Sequence, residues 1–377
     1  MTADPARTRT RIRDRGDGAA DGNTAAWRTR SDLASAGRTA TGLLLVSADA
    51  DSVAAAGGHA ERAGAYAAAL EAAGVGATDR VVVALSGDGE LAGAQWAQAA
   101  AEVARAAASV GPRGRLRLHH ALDSLKATTL VITPTGAMDL LARLHLEFLL
   151  DPLDLGLRHI ILTGEIASRR TMPHLAAEFE AEVTEVYCSP FTAVPLGWRS
   201  SEPAPLTLFD PGSVGLASLE KDESLVPPYA AGLAEVVVAD PVAGATLRTG
   251  QVVRLAAGDA VPAPEHTVGD HVLVRGVWLS LNRIERALGK IDGVSGWELG
   301  VSRQGTLDAA TLTVTFNRES LVGNPMWKAR VRQALQALTP ITIDVEISPQ
   351  ASETALRGVV NDARGHHLGR DRTAIAR

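Results

Sequence analysis

The sequence predicts an α/β protein, a large α/β domain followed by a small C-terminal α+β domain, and three observations carry that reading. Between about residues 42 and 260, short apolar runs alternate with helical stretches, the pattern of a largely parallel sheet with crossover helices. After about residue 265 the order becomes β-α-β-β-α-β, a split βαβ unit. Between the two lies VPAPEH (261–266), Pro-rich and without periodicity. The predicted layout is an Arg-rich disordered arm over 1–40, the large domain over 41–265, the small domain over 266–365 and a polar tail over 366–377.

In chain order, TGLLLVSA (41–48) is a buried-strand candidate, and the Ala-rich stretch 52–73 reads as a helix stopped by Gly74 and Gly76. RVVVALS (80–86) is a strand, 90–108 a helix, and TTLVITPT (128–135) a strand ending at Pro134. An amphipathic helix follows over 136–150. RHIILTGE (158–165) is a strand, 171–180 a helix and EVTEVYC (182–188) another strand. In the small domain, HVLVRGVWL (271–279) reads as one strand. SLNRIERALGK (280–290) is a helix with Leu281, Ile284 and Leu288 on one face. Residues 295–303 and 309–317 form a strand pair, 324–338 a helix with Pro325 in its first turn, and ITIDVEI (341–347) a half-buried strand. Ligands of such sheets sit at the carboxyl ends of the strands, so the loops after Pro134, Gly164 and Cys188 are the places for chemistry.

Composition narrows the function. The 37 Lys and Arg against 43 Asp and Glu give a net charge of −6, which argues against nucleic-acid binding. One cysteine excludes an intramolecular disulfide, a zinc ribbon and a four-thiolate cluster, and points to a reducing, cytoplasmic setting. No stretch approaches the roughly 20 apolar residues of a membrane span. The N-terminal run TRTRIRDRGDGAADGN has no apolar core, so it is no secretory signal, and Asp14, Asp17 and Asp21 count against a transit peptide.

No P-loop, GxGxxG, HExxH or GxSxG motif is present. His119-His120 lacks evident companion ligands for a metal, and His366-His367 reads as part of a solvated tail. Cys188, at a strand end, is either a nucleophile with His119 or His120 as its base, or a buried inert thiol.

One stretch is more specific. LGLRHIILTGEIASRRTMPHLAAEFEAEVTEVYCSPF (155–191) resembles the core of the phenylacetate–CoA ligase group of adenylate-forming enzymes, with Gly164-Glu165 and Tyr187 at the family's strand-end positions. The likeness continues through GLAEVVVADP (232–241), LRTGQVVRL (247–255), GDHVLVRGVWLSLNRIERAL (269–288) and the helix entry VITPTGAMDLLARL (131–144). It spans about residues 42–365. The resemblance implies a large domain, a mobile small domain and an acyl pocket lined by Thr133, Pro134, Gly136, Met138, Gly164, Tyr187, Ser189 and Phe191.

It also implies where adenylation chemistry should sit, and there the sequence departs. SAGRTATG (35–42) stands for the phosphate loop with Arg38 but no lysine. Phe191 stands where the family has a magnesium-binding Glu, and phenylalanine cannot ligate a hard cation. Gln251 stands where an Asp grips the ribose, with Asp259 as the rival register. HTVG (266–269) replaces the hinge Gly-Arg-x-Asp. The stretch 352–364, where the catalytic lysine belongs, has none. The expectation is a protein handling an acyl group on CoA or on a carrier protein's phosphopantetheine, without ATP or Mg2+ and with no metal site. Glu165, Cys188, His119 and His120 are the acid, base or nucleophile candidates. An ATP-dependent ligase using Arg38, Asp259 and Lys290 as stand-ins, and a non-catalytic partner of a synthetase, are the alternatives. A homodimer stays open.

Overall fold

The structure is a computed structural model, and it describes residues 26–38, 40–87, 89–240, 244–354 and 358–376. The large domain centres on a seven-stranded sheet. Its order is Thr207–Leu208, Pro195–Arg199, Glu182–Cys188, His159–Leu162, Thr129–Ile132, Arg80–Val83, Ala106–Ser109. The last five are mutually parallel. The runs RVVV, TLVI and HIIL form central strands because their branched side chains are buried on both faces. Alternate residues go to opposite sides. Val82, Leu130, Ile132, Ile160 and Leu162 meet the helices Arg115–Leu125, Pro134–Arg143 and Thr171–Phe179. Val81, Val83, Val131 and Ile161 meet His59–Ala72 and Gly93–Val103.

A second sheet packs beside the first. Its long strands Gly232–Asp240 and Ala245–Leu255 are antiparallel, with Val214–Ala217 and Ser224–Leu225 on one side and Ala26–Arg28 on the other.

The small domain is a four-stranded sheet ordered Ile343–Ile347, Leu307–Phe316, Val294–Gln304, Val359–Asp362. Strand Leu307–Phe316 alternates strictly, burying Ala310, Leu312, Val314 and Phe316 against helices Leu281–Leu288 and Pro325–Gln336, with Asp308 buried at its start between Arg303 and Arg364. Leu281, Ile284 and Leu288 are buried as their spacing predicts. Ser280 caps that helix, accepting from Arg283 N, and Asn324 caps the next, accepting from Met326 N at 3.0 Å.

Several local expectations are corrected. Residues 41–48 and the start of 52–73 do not join the main sheet: Leu44–Val46 and Val53–Ala55 pair as a separate hairpin. The predicted helix 90–108 ends at Val103, and Ala106–Ser109 is an edge strand. HVLVRGVWL is not one strand. Arg275 (φ 50°) and Gly276 (φ 73°) turn it into a hairpin, His271–Val274 against Val277–Ser280. Val359–Asp362 is a strand the periodicity does not show, since half its side chains stay exposed.

Both termini are more ordered than predicted. Residues 1–25 of the predicted arm lie outside the described residues. Ala26–Arg28 pairs in parallel with Ala245–Leu247, and Arg30–Arg38 is 3-10 helical with Leu33 in the core. The tail is not solvated: His367 is buried and Arg372 is ion-paired to Glu235 at 3.0 Å.

Candidate functional site

The cleft lies at the carboxyl ends of three parallel strands. After Thr129–Ile132, Thr133 caps the following helix, accepting from Gly136 N at 3.2 Å, and Pro134 occupies its first turn. Gly136 is held small by its neighbours: a Cβ there would stand 3.0 Å from both Thr133 Oγ1 and Ile132 Cγ1. Met138 packs half-buried on the core below. After His159–Leu162, Gly164 turns the chain with φ 83°, where a Cβ would strike Leu91. That turn delivers Glu165. Its carboxylate accepts from Thr135 N at 3.0 Å and Thr135 Oγ1 at 2.9 Å, which puts negative charge on the N-terminus of the Pro134–Arg143 helix. Burial pushes the Glu165 carboxyl up, and the bonds from Thr135 oppose the rise.

Strand Glu182–Cys188 supplies the next wall. Tyr187 donates to Gln251 Oε1 at 2.7 Å, and Gln251 N donates to Thr249 Oγ1 at 3.0 Å. Burial raises the phenol well above its ordinary range. Cys188 Sγ accepts from Thr163 Oγ1 at 3.3 Å, and burial pushes the thiol up to about 12. A thiol so displaced is almost wholly protonated at neutral pH, which favours the inert alternative. Ser189 closes the turn by accepting from Phe191 N and Thr192 N, each at 3.3 Å.

Gly164, Glu165, Tyr187, Cys188 and Gln251, far apart in sequence, therefore line one cleft together with Glu90 and Trp278. Its free volume is about 30 Å3, room for about two water molecules. His119 and His120 are elsewhere. They lie on helix Arg115–Leu125, His119 against Phe148 with ring centres 5.2 Å apart and His120 exposed beside Ser124. Arg38, Asp259 and Lys290 are exposed, and none of them lines the cleft.

A tightly held residue beside the cleft is one the sequence reading passed over. Arg30 is 4% exposed. Its guanidinium bonds Glu90 Oε1 at 3.1 Å, Ser52 Oγ at 3.3 Å and the Pro190 carbonyl at 2.6 Å. It also lies over the rings of Phe191 and Trp278, 5.0 and 4.9 Å from their centres. Burial pushes Glu90 up and Arg30 down, while each holds the other charged. The signal available beforehand was slight: Trp27 and Leu33 are apolar residues inside an otherwise charged run.

A second cluster joins the domains. Asp49, Asp51 and His271 bring ligand-type atoms within 4.8 Å of one another, the one such group among the described residues. Each already has partners. Asp49 accepts from Ser47 Oγ at 2.8 Å and Ser280 N at 3.2 Å, and Asp51 meets His271 Nε2 at 3.1 Å. The His271 bond holds the Asp51 carboxyl below its usual range. The arrangement is a clasp between the Leu44–Ala55 hairpin and the small domain.

No protein-family model and no curated protein matches the chain. Solved structures do. A 2-hydroxyisobutyryl-CoA ligase with 2-HIB-AMP and CoA, in its thioesterification state, superposes with a TM-score of 0.71 at 16% identity, covering 89% of this chain and 80% of that one. An o-succinylbenzoate–CoA synthetase from Bacillus subtilis, a double mutant bound to a product analogue, gives 0.57 at 15% identity over 84% and 68%. An amide bond synthetase from Marinactinospora thermotolerans gives 0.54 at 17% identity over 76% of this chain and 61% of its own. With the two-part architecture and the strand-end cleft in place, the chain has the fold of the adenylate-forming CoA ligases.

Proposed function

We propose that this protein uses a ligase fold to handle an acyl group already activated as a thioester, on CoA or on a carrier protein's phosphopantetheine, and that it does not make acyl-adenylates. The observation that carries the reading is the packing of Arg30 between Phe191 and Trp278.

An ATP–Mg2+ complex does not fit the residues present. Magnesium needs oxygen ligands, and the position the resemblance assigns to one holds Phe191, with a buried cation 5.0 Å away. Glu90 is the carboxylate beside it and is already bonded to Arg30 and to Ala48 N. Arg38, Asp259 and Lys290 do not line the cleft.

What the cleft retains is Glu165, a shielded carboxyl with a raised pKa at a helix N-terminus, opposite the Tyr187–Gln251 pair. Glu165 is the acid–base group of this reading. Cys188, as a protonated thiol, contributes packing.

The test is carboxylate-dependent exchange of labelled pyrophosphate into ATP across aryl and fatty acids, with calorimetric titration of ATP–Mg2+ and of an acyl-pantetheine. The expected result is no exchange, no heat from ATP–Mg2+ and saturable acyl-pantetheine binding. Exchange with any acid overturns the reading. A second reading, a non-catalytic partner of a synthetase, draws on the narrowness of the cleft, and the absence of acyl-pantetheine binding would favour it.

A further inference from the structure

We infer that residues 365–376 form a splint across the interdomain connection, fixing the small domain in one orientation on the large domain. The connection is short. Strand Ala245–Leu255 belongs to the large domain, His271–Val274 to the small domain's core, and the chain crosses between them along 266–270.

On one side this crossing is paired to the large sheet, with Thr267 opposite Gln251 and His266 opposite Val252. On its other side lies the C-terminal segment. Thr267 N donates to the His366 carbonyl at 2.7 Å, Leu368 N to the Thr267 carbonyl at 2.9 Å and Gly269 N to the Gly369 carbonyl at 2.9 Å. Thr267 Oγ1 and His367 Nδ1 are 3.1 Å apart. The crossing is thus held from both edges, and a hinge has to change its backbone angles to work.

Two arginines then tie the segment down on both domains. Arg370 pairs with Asp270 at 2.8 Å and bonds Asn282 Oδ1 at 2.8 Å, reaching the small domain's first helix. Arg372 pairs with Glu235 at 3.0 Å, on a central strand of the large domain's second sheet. Gly269 (φ 96°) leaves room for it: a Cβ there would sit 3.2 Å from the Arg372 guanidinium. Rotation of the small domain would break these bonds together.

The comparison structures show that orientation matters to the likeness. The 2-hydroxyisobutyryl-CoA ligase superposes at 0.71 in one state. In its postadenylation state it gives 0.52 over the same 89% of this chain, and in an open conformation 0.51 over 85%. The present chain follows one arrangement and not the other two.

The test uses the full chain with spin labels on Glu102→Cys and Gln333→Cys, exposed positions on the large and small domains. Cys188, half-buried at the cleft, is replaced by alanine in the labelled chain. A single narrow distance is expected in the otherwise unchanged chain. Adding Arg370→Ala with Arg372→Ala should introduce a second distance population and speed amide exchange at Thr267 and Leu368 by about tenfold or more. Glu235 keeps Arg248 as partner, so this variant retains its fold. Two populations in the otherwise unchanged chain, or one unchanged distance in the double variant, would overturn the inference. Neither readout involves ATP or a thioester, so the outcome is separable from that of the proposed function.

Discussion

The cleft and the interdomain joint use the same kinds of residue in opposite ways. In the cleft, polar groups are satisfied inside the large domain: Glu165 by Thr135, Tyr187 by Gln251, Cys188 by Thr163. At the joint, the partners belong to different parts: Asp51 with His271, Arg372 with Glu235, Thr306 with Asp139 at 3.0 Å. The polar wall of the cleft is therefore held within the large domain, and the small domain adds only the Trp278 ring to its lining. Placement of the small domain depends on bonds that all break in one movement. Arg30 is the residue common to both, rooted in the cleft wall and stacked on Trp278 of the small domain's hairpin.

The largest effect should come from that shared residue. Arg30→Ala leaves Glu90 buried and unpaired and should cost about 3–5 kcal/mol in urea unfolding. A loss below about 1 kcal/mol would show that the pair is solvated and the cleft open. Gly164→Ala tests the cleft alone. Its positive φ and the Leu91 contact predict about 1–3 kcal/mol of destabilisation, with the spin-label distance unchanged; a changed distance would mean that the two regions are coupled.

A titration tests the joint alone. Burial lowers His366 and His367 from 6.5 to about 4. The surrounding charges are mixed: Arg364, Asp362, Arg303 and Asp308 around His366, and Asp362, Arg364, Arg370 and Asp270 around His367. The folded form thus binds fewer protons than the unfolded one. The stability these histidines contribute when neutral is present above about pH 6.5 and is lost as the pH falls toward about 4. Thermal melts between pH 7 and 5 should show a slope that replacing both histidines flattens, and an unchanged slope would remove them from the joint. The smallest effect is Cys188→Ala, about 1 kcal/mol or less of packing, with acyl-pantetheine binding retained. Abolished binding would return the thiol to the chemistry.

The contrast also explains what could be read from the sequence. The parallel strands announce themselves, because burial on both faces demands continuous branched residues such as RVVV and HIIL. Helix entries at Thr133, Ser280 and Asn324 follow from caps adjacent in sequence. The strand-end positions Gly164, Glu165, Tyr187 and Gln251 meet in one cleft because each follows or belongs to a recognisable strand. Arg30 and the splint were invisible for a shared reason. A three-residue strand has no periodicity, and a buried arginine looks like a solvated one until its partners, 60 and 160 residues away, are in place. His119 and His120 failed in the other direction: adjacent histidines draw the eye, but neither lines the cleft.

The joint has a consequence for how the chain is made. Ser280 N reaches Asp49 across 231 residues and His271 reaches Asp51 across 220. During synthesis the Leu44–Ala55 hairpin and the Arg30 segment emerge long before their partners exist, whereas strands Arg80–Val83 and Ala106–Ser109 can pair almost at once. Contacts of such sequence separation form late and slowly. The nascent chain should therefore assemble its parallel sheet first and carry its N-terminal segment unanchored, open to proteases and chaperones, until the final third has left the ribosome.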